Sequence, residues 1–247
     1  MKKYLSVFSV TARESVIKIT FVWIISALLQ VYLFYKLISG GKLAENNHLS
    51  ELFFVSADDM TIPYLFSFTL LITGILLMKT GMEFRTKTGY TLRRLRISEK
   101  QVFLMQSVYN CLMIFILFLF EVALCFFLAD WGTTFMEAKY VTNQTVYLTF
   151  YTADFLQELF AGRNIVTVIR NIFIIASLGF NLSVFSYLWR RGIKNLFGVL
   201  VLIACVALYW GAPGFTYAEN LIITAVAVGT LLIALGIVHT RREEYDA

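Results

Sequence analysis

Proline is almost missing from this chain: Pro63 and Pro213 are the two that occur in 247 residues. Few positions therefore lack a backbone donor, and long uninterrupted helices are expected. Charge is scarce as well. Charged residues make up 15% of the chain, against about a quarter in soluble domains, while hydrophobic residues reach 59% and mean hydropathy is +0.73. One core of this length has no room for so much apolar surface, so lipid must cover the excess, and a large soluble domain is excluded. Histidine appears twice, as His48 in a loop and His239 at the end of the last apolar run, so the two cannot share a metal. No His-Glu-x-x-His, Gly-x-Ser-x-Gly or Gly-x-x-x-x-Gly-Lys is present. The missing phosphate loop excludes ATP hydrolysis by that route, and with no catalytic set visible the chain is not expected to be an enzyme. Cys111, Cys125 and Cys205 lie inside apolar runs without ligand-like spacing and read as small core residues.

What the chain does have is six apolar runs, each near the length that crosses roughly 30 Å of hydrocarbon. They are Ile19 to Ser39, Ile62 to Met78, Phe103 to Leu128, Ile165 to Leu188, Leu196 to Trp210 and Leu221 to Val238. Lys36 lies close enough to the end of the first to snorkel. Pro63 falls in the first turn of the second, where proline is tolerated. The fifth is short and stops at Gly211-Ala212-Pro213-Gly214. The expected fold is an all-α membrane protein with six transmembrane helices over residues 19–240. Ahead of them, Leu5, Phe8, Ala12, Val16 and Ile19 recur every three or four residues, which predicts an amphipathic interfacial helix over residues 1–18. No cleavable leader is read at the N-terminus, because Arg13 and Glu14 interrupt it before the first long apolar run. Residues 241–247 form a short tail. The largest outer loop spans about residues 129–164, and its stretch Ala153 to Phe160 is expected to form a short helix on the outer surface.

The +5 net charge is not a nucleic-acid stripe. Basic residues crowd into alternate segments: Lys2, Lys3, Arg13 and Lys18; Lys79 to Lys100; Arg190, Arg191 and Lys194; Arg241 and Arg242. The other loops hold Lys42, Lys139 and Arg163 against acids such as Glu45, Asp58, Asp59, Glu137, Asp154 and Glu158. The positive-inside rule then puts both termini in the cytoplasm. Within the spans, Glu121 and Arg170 are the charges at membrane depth, where an ionisable group is costly and usually paired or functional. Both fall toward the outer leaflet, so they are expected to face each other, either fixing helix register or lining a substrate path. Asn110, Asn171 and Asn181 are read as interhelical hydrogen-bonding groups.

The loop from about residue 80 to 102 is the most informative segment. Leu92, Leu95 and Ile97 alternate there with Arg93, Arg94 and Arg96. Such an element is too basic to enter lipid and too small to act alone. It either rests on anionic headgroups, which is the default on physics alone, or inserts into a groove of a soluble partner.

Residues Glu83, Arg85, Gly89, Thr91, Leu92, Leu95, Ile97 and Ser98 resemble the first cytoplasmic loop of ABC type-2 exporter permeases. The match departs at Tyr90, since in that family the threonine directly follows the glycine. The resemblance extends to the layout of an amphipathic N-terminal helix, six spans, both termini inside and a glycine-proline break after the fifth. It implies that the loop, with Arg93 and Arg94, is a coupling helix docking on a cytoplasmic ATP-binding cassette subunit, where ATP-Mg would be bound. It also implies a second permease copy or related chain, a bacterial plasma membrane, and outward movement of an amphipathic or hydrophobic cargo. A peptide is slightly favoured over lipid or drug. The other reading is a membrane scaffold or binding protein whose basic loop touches lipid or a partner without transport.

Overall fold

The computed structural model describes residues 2–39, 62–82, 98–136, 141–142, 144–160, 164–210 and 214–240. Among the described residues all regular secondary structure is helical, with no strands. The helices are α1 (Lys2–Ser39), α2 (Ile62–Met82), α3 (Glu99–Thr133), α4 (Thr145–Thr152), α5 (Asp154–Phe160), α6 (Ile165–Arg190), α7 (Phe197–Tyr209) and α8 (Tyr217–Thr240). Five of them, α1, α2, α3, α6 and α8, are long and apolar enough to cross a membrane. The fifth apolar run is α7, whose 13 residues rise only about 20 Å, short of the roughly 30 Å of a hydrocarbon core.

Capping chemistry sets several boundaries. Ser98 opens α3 with a capping box: its hydroxyl accepts from the Gln101 backbone N–H, and the Gln101 side chain accepts from the Ser98 N–H. Thr216 and Glu219 form the equivalent exchange at the start of α8. Asn164 caps α6 by accepting from the Val166 N–H at 3.1 Å. At the other end of α6, Gly192 takes φ +78°, Gly192 N donates to Trp189 O and Ile193 N to Leu188 O. That pair of bonds is a Schellman stop, and it needs the left-handed φ that glycine adopts without a Cβ penalty.

The boundary expected at residue 18 falls inside a helix: α1 runs unbroken from Lys2 to Ser39, because no glycine or proline interrupts it. At 38 residues it is roughly 57 Å long, nearly twice the hydrocarbon thickness, so in a bilayer it must tilt or project.

Helix α6 is the centre of the bundle and packs against α2, α3, α7 and α8. Every residue from Asn181 to Leu188 is buried. Small and polar residues let it serve four neighbours at once. Asn110 of α3 donates to Ser183 at 2.9 Å, Ser186 donates to the Met78 carbonyl of α2, and Ser177 shares a 2.6 Å bond with Thr230 of α8. Asn181 reaches the Thr230 carbonyl at 3.4 Å. Hydrogen bonds of this kind are a main source of specificity between helices in lipid, where apolar contact alone gives no preference over lipid tails.

These contacts fix relative direction. Helices α1 and α3 run together, as do α2, α6 and α8, and the two sets oppose each other. One end of the bundle therefore gathers Arg13, Lys18, Lys79, Lys100, Arg190, Arg191 and Lys194 with the acids Glu14 and Glu99, and the other Asp130, Asp154, Glu158 and Glu219 with Lys36. The short helix read at Ala153 to Phe160 is α5. It is not laid on the surface: Phe155, Leu156 and Leu159 are buried, and with α4 it packs against α3 at the acidic end.

Candidate functional site

A buried arginine organises the acidic end. Arg170, 1% exposed on α6, spends all five of its N–H groups. Nε donates to Asn171 Oδ1, Nη1 to Glu158 Oε2 and to Asn220 Oδ1, and Nη2 to the Glu158 carbonyl and again to Asn171 Oδ1. Glu158 uses its second oxygen to accept from the Phe215 N–H at 3.0 Å. Tyr209 of α7 donates to Asn171 at 3.1 Å, and the Phe215 ring lies under the guanidinium at 5.5 Å. One residue thus ties α5, α6, α7 and the start of α8 together. A polar cavity of ≈ 240 Å³ adjoins this hub, lined by Gln157, Glu158, Asn164, Thr167, Phe215 and Asn220.

The pair expected between Glu121 and Arg170 is not formed. Arg170 is an ion-pair partner of Glu158, and Glu121 instead accepts from Gln30 Nε2 of α1 at 3.1 Å. The reason is connectivity: α5 enters α6 through a short link, which carries Glu158 to within one guanidinium of Arg170, whereas α3 turns Glu121 toward α1. Around Gln30 lies a second polar strip. Thr69 of α2 donates to Ser26 at 2.6 Å, and Trp23 Nε1 donates to Thr73 at 3.1 Å. Sequence reasoning missed Glu158, Gln30 and Asn220. Glu158 sits in the predicted outer loop, and its spacing of twelve residues from Arg170 carries no periodic signal.

No protein-family model, curated protein or solved structure matches this chain.

Of the residues named for the loop, Glu83, Arg85, Gly89, Thr91, Leu92, Arg93, Arg94, Leu95 and Ile97 lie outside the described residues. Ser98 is described, and its place is the N-cap of α3. The three cysteines are free, with Cys125 and Cys205 buried and Cys111 half-buried. Among the described residues no three His, Cys, Asp or Glu side chains gather to hold a metal. A third feature is apolar. Helices α7 and α8 both pack on α6, leaving a cavity of ≈ 190 Å³ between them, with Ile174, Ala204, Cys205, Val226 and Ala227 on its walls and the Ser177–Thr230 hydroxyl pair in its lining.

Proposed function

We propose that this chain is the permease subunit of an ABC type-2 exporter, moving an amphipathic or hydrophobic cargo, a peptide before a lipid or drug, out of a bacterial cell. The observation that supports this reading most is the pair of long helices that flank the basic loop in sequence: α2 ends and α3 begins at the same end of the bundle, and the Ser98 capping box fixes the start of α3, a 35-residue rod. That rod is bonded to α6 through Asn110 and Ser183 and to α1 through Tyr109 and Ser15. Hydrolysis of ATP belongs to a separate cassette subunit docked on the loop. Because α6 fills the centre of one copy, the cargo path of this reading runs between this chain and a second copy or related chain. The apolar cavity beside α7 and α8 suits a cargo with a hydrophobic part.

Two experiments test it. With the native cysteines replaced, single cysteines at Ser98 and Arg191 are expected to be shielded from an impermeant thiol reagent in intact cells, while those at Asn47 and Asn143 react. Labelling at Ser98 from outside would overturn the arrangement with six spans and both termini inside. For coupling, charge reversal at Arg93 and Arg94, or Leu92→Pro, is expected to abolish co-purification of an ATPase or uncouple its turnover from export. Proline in a helix interior costs roughly 3 kcal/mol. Normal ATPase association and export in both variants, with normal membrane insertion, would favour a lipid-contacting scaffold instead.

A further inference from the structure

The Gln30–Glu121 contact does not balance as an ionised pair. Both side chains are buried, Gln30 at 0% and Glu121 at 1% exposure, within the packed faces of α1 and α3. Gln30 Nε2 donates to Glu121 Oε2 at 3.1 Å, yet Oε1 of each side chain is buried with no hydrogen-bond partner. Among the described residues no basic group lies within ion-pair distance of Glu121; Lys36, further along α1, is exposed. Arg170, the one fully buried cation among the described residues, is consumed by Glu158, Asn171 and Asn220. The remaining polar neighbours are uncharged: Ser26, 3.5 Å from Gln30 Nε2, Thr69 bonded to Ser26, and Cys125 one turn along α3 from Glu121.

An ionised carboxylate here would bury a net charge and two orphaned acceptors together, each a substantial cost. Turning the Gln30 amide over does not help. Its oxygen would then face a carboxylate oxygen at 3.1 Å, a contact that only a hydrogen between them makes favourable. Both orientations are relieved by one proton on the Glu121 carboxyl group. We infer that Glu121 and Gln30 form a buried proton-binding site, in which Glu121 holds a hydrogen on one carboxyl oxygen and donates it to the Gln30 side-chain oxygen. The amide N–H already donates the other way, so the acid and the amide close a ring of two opposed hydrogen bonds. No atom is left unsatisfied and no charge is buried. Of the two bonds by which the ring joins α1 to α3, the one from the Glu121 hydroxyl to the Gln30 oxygen exists only while the proton is present. This inference concerns α1 and α3 and stands apart from the exporter reading.

Infrared spectroscopy of the full chain in lipid nanodiscs, with and without carbon-13 glutamate labelling, tests it. The unmodified protein is expected to show the carbonyl stretch of a protonated glutamic acid, shifted by the label, at neutral pH. Glu121→Gln replaces the acid by a neutral group able to form the same ring, so the band should vanish while the melting temperature stays within about 2 °C of the parent. Gln30→Met keeps length and removes the acceptor. There the band should persist at a shifted frequency, which identifies Glu121 even if the glutamine variant fails to assemble. Absence of the band in the unmodified protein would overturn the inference. So would a melting temperature that rises with sodium or potassium at constant ionic strength and loses that response in Glu121→Gln, because the bound cation would then be a metal ion.

Discussion

Arg170→Gln is expected to be the most damaging single polar substitution in the bundle. Removing one member of a buried pair leaves the other charge without compensation, typically at a cost on the order of 3–5 kcal/mol. The substitution would strand the Glu158 carboxylate at an α5 that has lost its main attachment to α6, and would leave Asn220 Oδ1 without its 2.6 Å donor. Glu158→Gln should cost a comparable amount from the opposite side, because it leaves a guanidinium buried. Thermal unfolding of the purified protein in detergent or nanodiscs reads both. The double variant is expected to lose clearly less than the sum of the two, as residues in direct contact do. The same cycle built on Arg170→Gln and Glu121→Gln should be additive within about 0.5 kcal/mol, since those residues sit in separate networks. Coupling between Glu121 and Arg170 as large as that between Glu158 and Arg170 would contradict the hub.

Gly179→Ala is the second large effect, and its sign runs against helix propensity. In an open helix the change stabilises by up to about 1 kcal/mol. At position 179 an added Cβ would lie 2.4 Å from Cys111 Sγ, 2.8 Å from Cys111 N and 3.0 Å from Cys111 Cα. The sulfur can rotate away, but the α3 backbone cannot, so α3 and α6 must separate. Overpacking of this kind costs about 1–3 kcal/mol, and the Asn110–Ser183 bond beside it would stretch as well. Gly229→Ala on α8 provides the control, since nothing lies within 4 Å of its added Cβ. A fall in melting temperature at 179 with a small rise at 229 is the expected result. Equal effects at the two sites would mean that α3 and α6 are not in close contact.

Five of the six expected spans are helices long and apolar enough to cross a membrane, and they were legible because burial in lipid demands long apolar runs that show in composition. The ends were placed less well: the runs were read from Phe103 and Leu221, whereas the caps of Ser98 with Gln101 and Thr216 with Glu219 start α3 and α8 four residues earlier, on polar residues that hydropathy passes over. Helix α4 was not foreseen, because Thr145 to Thr152 mixes threonine and aromatic residues that favour no single element. The partner of Arg170 was misjudged for a different reason. Depth along a span was used to match charges, yet α5 brings an acid from a loop into the buried end of the bundle. Tertiary proximity of that kind leaves no trace in periodicity. The asparagines were easier to place: Asn110, Asn171 and Asn181 all bond to other helices or to α5, as expected of amides that lipid cannot satisfy.

The brevity of α7 has a mechanical consequence for the surrounding lipid. A 13-residue apolar helix leaves about 10 Å of hydrocarbon unmatched on its flank of the bundle, while α2 and α6, against which it packs, are long enough to cross. The bilayer answers such a deficit by thinning locally, at a fraction of a kcal/mol per Å. The exposed Trp210 at the end of α7, edge-on against Tyr64, would serve as an interfacial anchor at the level where the headgroups would then settle. A dimple there would bring water and headgroups down toward Tyr209 and Asn171, softening one side of an otherwise greasy wall next to its most polar interior. Membranes of different thickness would strain that dimple differently, making acyl-chain length a variable that acts on this protein through its shortest helix.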